Sequence, residues 1–253
     1  MLKRTFIHLP QIGPATELRL WRQGLATWED LLGARHVRGF SPGRLALIHR
    51  HLEESQANLD CPAYFSSRLP AAERWRLFSQ YRDRTAYLDI ETTGASWPHL
   101  TVTVIGLYDG QTFYQFVLGQ NLHDFLELVD AQEVLVTFNG SQFDLPVLQA
   151  FFGRPFPHAH IDLRPVLARL GYKGGLKKIE PRFGLQRPAD VEGLDGYDAV
   201  LLWQRAQRGD TAAGERLLAY NRADVINLET LMVQAYELAC QHTLAPLTQP
   251  PPL

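Results

Sequence analysis

Sulfur and long apolar runs are both scarce in this chain. Cysteine occurs only twice, at Cys61 and Cys240, with no CxxC and no cysteine/histidine cluster. That spacing excludes a zinc knuckle and a disulfide framework, and it fits a reducing cytoplasm. No hydrophobic stretch approaches the ~18 residues of a membrane span, because charge interrupts each one. The segment MLKRTFIHLPQIG carries basic residues but no apolar run of secretory length. A soluble, cytoplasmic protein without a membrane partner is the expectation. No GxGxxG follows a strand pattern, which counts against a dinucleotide-binding oxidoreductase.

An excess of one charge is missing as well, the net charge being -2. Taken over the whole chain, that argues against nucleic acid as a partner, but charge acts locally. Between Arg164 and Arg187 there are seven basic residues against one acid, Glu180. A protein that gathers carboxylates in one place and a basic strip in another is globally neutral and still grips phosphates.

What is present divides into regions. Residues 1–60 read as wholly helical, with Trp21 and Trp28 at helical spacing and Gly13, Gly24 and Gly33 as breaks. Residues 61–84 read as a connector containing the helical stretch AAERWRLFSQYRDR. From Thr85 short β runs alternate with helices. TAYLDIE, TVTVIGLY and TFYQFVL predict an antiparallel ribbon of three strands, with Asp109-Gly110 turning the last pair. A helix over NLHDFLELVD, a strand EVLVTF, a helix from about Ser141 to Phe152 stopped by Gly153, and a short strand around HIDL follow. A long helix runs through ERLLAYNRADVINLETLMVQAYELA. The expected fold is α/β, a mixed sheet flanked by helices over residues 85–242, with a small all-α N-terminal region. The proline-rich tail, residues 243–253, is expected to be disordered.

Three short segments carry carboxylates in suggestive contexts. In DIETTG, Asp89 and Glu91 occupy positions i and i+2 of a strand and project to one face, while Leu88 and Ile90 face the other. Two adjacent carboxylates repel, and a hard divalent cation resolves that repulsion. In NGSQFD, Asp144 falls in the first turn of a helix, where the dipole favours an anion. In YNRAD, Tyr220 and Asp224 lie at i and i+4 on one helical face. Each segment alone reads equally as a solvated acid, a helix-start acid or a surface acid beside a half-buried tyrosine.

Their order changes that balance. DIETTG, NGSQFD and YNRAD resemble the three exonuclease motifs of the DEDD superfamily, tyrosine subgroup. LVTFNGSQFDLPVL, HIDLRPVLARLGYKGGLKKIEPRFGLQRP and YNRADVINLETL resemble the YprB-type ribonuclease H-like exonucleases, over residues 85–235 or so. The resemblance implies a 3′→5′ exonuclease that hydrolyses phosphodiesters with two divalent cations, Mg²⁺ or Mn²⁺, in DNA repair or processing. It implies that Asp89 bridges both cations, that Glu91 and Asp224 help hold the first, and that Asp144 positions the second. Tyr220 would orient the attacking water, because a phenol with a reference pKa near 10 is a poor base at neutral pH.

Further residues are candidates for substrate contact, each with a plain alternative. Thr92, Thr93 and Asn139 stand beside the acids, although Thr93 serves equally as a strand-end cap. Phe143 fits a core position or a stack near the terminal base. Lys177 and Lys178 fit phosphate contacts or a solvated helix face. Asp162, preceded by His160, reads as the cap of a helix beginning near Arg164 and stays outside the catalytic set.

HLPQIGPATELRLWRQGLATWEDLL resembles a helix-hairpin-helix element. Its glycine turn would let Gly13, Ala15 and Thr16 meet DNA phosphates at a helix N-terminus. Gln11 stands where such motifs often carry glycine, and Glu17 is unfavourable beside phosphate. A helical docking region packed by its tryptophans is the alternative. DNA is the expected partner ahead of RNA. The competing functions are an exoribonuclease and a catalytically silent nucleic-acid-binding module.

Overall fold

The computed structural model describes residues 1–96 and 99–248. Four helices open the chain: α1 (Pro14–Arg22), α2 (Trp28–Gly33), α3 (Pro42–Ala57) and α4 (Pro62–Ser66). This region is less helical than expected, since residues 5–13 form turns after a single 3-10 turn at Leu2–Arg4. Those turns are held from inside, because the Glu17 carboxylate accepts from the amides of Phe6 (2.6 Å) and Ile7 (3.3 Å). Trp28 is fully buried and donates from its indole to the Thr5 carbonyl at 2.8 Å.

AAERWRLFSQYRDR is not one helix. It breaks into a 3-10 segment (Ala71–Leu77), the short α5 (Phe78–Tyr81) and a 3-10 turn (Arg82–Arg84). Trp75, Arg76, Leu77 and Phe78 are consecutive and all buried, a demand that one amphipathic stripe cannot meet.

The sheet follows: β1 (Thr85–Thr92), β2 (Val102–Tyr108), β3 (Phe113–Val117), then α6 (Phe125–Asp130), β4 (Val134–Thr137), α7 (Asp144–Phe152) and β5 (Ala159–Asp162). Its order is β3-β2-β1-β4-β5. The pairs β1–β2 and β2–β3 are antiparallel, and β1–β4 and β4–β5 are parallel. The chain ends with α8 (Leu163–Arg169), α9 (Leu176–Ile179), α10 (Gly196–Ala206) and the long α11 (Thr211–Thr248).

Strand alternation sorts the core into layers. Ala86, Leu88 and Ile90 of β1 pack with Phe125 of α6 and Leu148 of α7 on one face. Tyr87 turns to the opposite face, where Leu167 of α8 and Leu228 of α11 join a cluster that includes Phe6, Trp28 and Trp75. The N-terminal helices and the sheet therefore share one apolar core.

The expected disorder of the tail does not hold at its start. α11 continues through Pro246 to Thr248. Leu244 and Leu247 pack on the core, and Arg22 donates to the Pro246 carbonyl at 3.3 Å. These contacts offset a proline that costs one helix hydrogen bond near the terminus. Residues 249–253 lie outside the described residues.

Candidate active site

The central strand β1 ends between two helices. Asp89 and Glu91 project from its α11 side, and α11 presents Tyr220 and Asp224 one turn apart. Asp89, Glu91 and Asp224 bring carboxylate oxygens within 4.8 Å of one another. Asp144, at the first position of α7, stands outside that tight trio but lines the same cavity of about 210 Å³ with Tyr220.

Asp144 is delivered by the turn after β4. Its helix starts three residues later than expected, because residues 139–143 are used for the turn. Asn139 adopts a left-handed φ of 69°, and the Gln142 and Phe143 amides donate back to its carbonyl. The Asp162 carboxylate, at the end of β5, accepts from the amides of Asn139 (2.8 Å) and Ser141 (3.1 Å). It also caps α8 through the Arg164 amide, as expected. His160 bonds Thr137 at 2.9 Å and is not among the residues that line the cavity.

The electrostatics of the cavity are those of an anion cluster withdrawn from water. Burial first, then Asp224, Asp144 and Glu91, push the Asp89 carboxyl well above the usual carboxylate range. Glu91 is raised in the same sense by burial, Asp224 and Asp144, against Lys177 and Arg187. Burial lifts Asp144 to about 7, although the amides of Asp144 itself and Ile90 pull the other way. Asp224 is raised by burial despite its contact with Arg187. Hard oxygen donors at this density fit a divalent cation, which would relieve the mutual repulsion.

The Tyr220 phenol is raised by burial and by Asp224, Glu91 and Asp89, so it stays protonated at neutral pH. The Lys177 ammonium lies 4.5 Å from its ring centroid. Thr92 and Phe143 line the cavity, and Phe143 is 39% exposed, which removes the core reading for it. Thr93 acts as a strand-end cap, its amide donating to the Thr101 carbonyl and its hydroxyl accepting from the Thr101 amide. Asn139, Lys177 and Lys178 line a neighbouring space of about 560 Å³ that shares Asp89, Tyr220 and Asp224.

The basic strip is less available than its sequence suggests. Arg164 donates to the Asn139 side chain, Arg169 pairs with Glu73, and Arg187 pairs with Glu180 and Asp224. In the N-terminal region, Gly13 and Ala15 are exposed and Thr16 is half-buried at the start of α1. Gln11 holds φ at 60°, the conformation that makes glycine common at that position. Glu17 does not face a phosphate at all; it is buried and takes Arg76 Nη1 on both oxygens at 2.9 Å.

Two functional neighbours escape sequence reasoning. Asn221, fully buried, donates to Asp89, and Arg187 holds Asp224. Asn221 sits inside the YNRAD segment, so its identity was in view but its direction was not. Arg187 had only its place in the basic strip as a signal.

A family model of the RNase H superfamily matches residues 86–236, more than half of the chain. The chain belongs to the RNase H superfamily. The matched span holds all of the sheet except Thr85, the first residue of β1, and all of the residues around the acid cavity. Among solved structures, the chain is similar to the family B DNA polymerase from the hyperthermophilic archaeon Pyrobaculum calidifontis, at 17% identity and a TM-score of 0.47. That likeness covers 64% of this chain and 24% of the polymerase, so this chain spans about a quarter of that one. No curated protein matches it. Among the described residues of this RNase H-superfamily chain, no helix is long and apolar enough to cross a membrane.

Proposed function

We propose that this chain is a metal-dependent 3′→5′ exonuclease of the YprB type, in the tyrosine subgroup of the DEDD superfamily, acting on DNA in repair or processing in the cytoplasm. One observation carries this reading. Acids from three distant segments meet around one small cavity, with a buried phenol beside them.

Asp89, Glu91 and Asp224 would hold one cation, and Asp144, with Asp89, a second. Bound there, two divalent cations supply an acidified water and neutralise charge on the phosphate oxygens. Tyr220, kept protonated, orients that water by hydrogen bonding and is not the base. Thr92 and Asn139 would position the terminal nucleotide, with Thr93 holding the strand end beside them as a cap, and the exposed Phe143 ring offers a stacking face for its base. Lys177 and Lys178 would contact the phosphate backbone. The division into a helical N-terminal region (1–60), a connector (61–84) and a nuclease domain (85–242) belongs to the same proposal.

The test uses oligonucleotides of DNA and RNA labelled at the 3′ or 5′ end, with Mg²⁺, Mn²⁺ or EDTA. A DNA 3′ label is expected to be released first, as mononucleotide, and EDTA, Asp89→Ala or Asp224→Ala should abolish the release. Activity surviving EDTA and both substitutions would end the two-cation reading, and faster release from RNA would reassign the substrate.

Gly13, Ala15 and Thr16 are proposed as contacts to DNA phosphate. Removing residues 1–60 is unsuitable as a test, because Phe6 and Trp28 belong to the shared core. Ala15→Glu places charge on the exposed turn instead. It should weaken DNA binding and flatten its salt dependence; an unchanged slope would withdraw these contacts.

A further inference from the structure

Arg187 joins the acid cavity to a second buried carboxylate. Its Nε and Nη2 grip both oxygens of Glu180, at 2.7 and 2.8 Å, in the fork geometry that suits arginine. Nη2 also meets Asp224 Oδ1. Glu180 is 2% exposed, and its Oε1 additionally accepts from Asn227 of α11 at 2.8 Å. Asn227 lies three residues after Asp224 on that helix, so the bridge fastens the segment after α9 to the helix that carries the acid.

This arrangement exceeds what packing requires. Arg187 is 7% exposed on its side chain, its guanidinium stands 5.6 Å from the Tyr220 ring centroid, and Nη1 has no hydrogen-bond partner among the described residues. A buried guanidinium with a spare donor is costly unless its charge is needed. The need is local: Asp89, Glu91, Asp144 and Asp224 crowd one cavity, and Lys177 lies over the Tyr220 ring.

We infer that Arg187 is the resident counter-ion and positioning residue of Asp224: it keeps the acid cavity folded without metal and lowers the cavity's affinity for divalent cations. The inference rests on the nuclease reading of the same acids. Glu180 anchors the guanidinium, so the arginine does not swing away as a cation binds. One oxygen of Asp224 stays on Arg187, which leaves the other as a ligand. A fixed positive charge in contact with a ligand opposes a divalent ion more than it helps by ordering one carboxylate, because Coulomb repulsion in a part-buried site outweighs a single rotamer's entropy.

The test compares wild type, R187Q, R187K and D89A by Mn²⁺ titration, following free Mn²⁺ by electron paramagnetic resonance, and by melting with and without Mn²⁺. R187Q should bind Mn²⁺ roughly tenfold tighter or more, for removal of a unit charge at contact distance. Its metal-free melting temperature should fall, and Mn²⁺ should restore it. R187K keeps the charge but cannot make the fork, so it should melt lower while its Mn²⁺ affinity stays within about threefold of wild type. A merely structural arginine would not tighten metal binding when removed. R187Q binding no tighter than wild type would overturn the inference, as would an unchanged metal-free melting temperature. If R187Q does not fold even with Mn²⁺, R187K decides: an affinity gain of tenfold or more in R187K, where the charge is retained, overturns it. Wild type that binds Mn²⁺ no better than D89A sinks the nuclease reading instead.

Discussion

Asn221 reaches Asp89 twice: its Nδ2 donates to the main-chain carbonyl at 3.3 Å and to the carboxylate Oδ2 at 3.2 Å. Its Oδ1 accepts from Gln115 of β3 at 3.3 Å, so one fully buried amide ties α11 to two strands. The sequence neighbour of Tyr220 thus orients the acid at the end of β1.

Asn221→Ala should therefore cost about 1–3 kcal/mol in urea denaturation, the range for leaving buried polar partners unsatisfied. It should also reduce turnover on a DNA 3′ end, although Asn221 need touch no substrate. Unchanged stability and unchanged turnover would show that Asp89 is oriented by something else.

Gly106 sets how closely α11 lies on the sheet. A Cβ there would stand 2.4 Å from Asn221 Oδ1 and 2.7 Å from Val225 Cγ2. Gly106→Ala should destabilise by about 1–3 kcal/mol, as overpacking does, and displace Tyr220 and Asp224 from the strand end. Gly33→Ala, with nothing within 4 Å of its Cβ, should be neutral in the same melts. Equal effects at both positions would refute the packing explanation.

Much of this was legible because it is periodic. Alternation in TAYLDIE placed Asp89 and Glu91 on one face of β1 and Leu88 and Ile90 on the other, and the sheet keeps that division. The i, i+4 spacing brought Tyr220 and Asp224 to one cavity. Contacts that depend on tertiary approach were not legible. The Arg187–Asp224 pair spans 37 residues, and no local pattern says which of seven basic residues turns inward. The late start of α7 follows from Asp162 capturing the Asn139 and Ser141 amides across strands. The helix through Pro246 depends on Leu244 and Leu247 finding the core.

Asp144 gives the metal-free protein a defined pH dependence. Its folded-state pKa of about 7, raised by burial, lies above the unfolded value, so the native state binds more protons between roughly pH 4 and 7. Stability of the metal-free protein should consequently fall as pH rises through that window. Asp144→Asn should flatten the fall and be more stable than wild type at pH 8, with the two converging near pH 4. Melts in EDTA across pH check this; parallel wild-type and variant curves would contradict it.

Glu17 and Arg76 are each 2% exposed and bonded at 2.9 Å. Glu17→Ala strips Arg76 Nη1 of its carboxylate, leaving the buried guanidinium its Nε contact to Glu73 at 2.7 Å, and frees the Phe6 and Ile7 amides. A loss of about 3–5 kcal/mol is expected, the range for breaking a buried pair. Chemical denaturation measures it. A loss below about 1 kcal/mol, the level of a surface ion pair, would place Glu17 in solvent and reopen the phosphate-facing reading of the α1 turn.

The central claim is that Asp89, Glu91, Asp144 and Asp224 share bound cations. Anomalous diffraction from crystals grown with Mn²⁺ and a short DNA 3′ end tests it most directly. Two manganese peaks among these four side chains, about 3.5–4 Å apart as two-metal chemistry requires, are the expected result. A map with no manganese at this cavity, or with manganese held only by other residues, would contradict it.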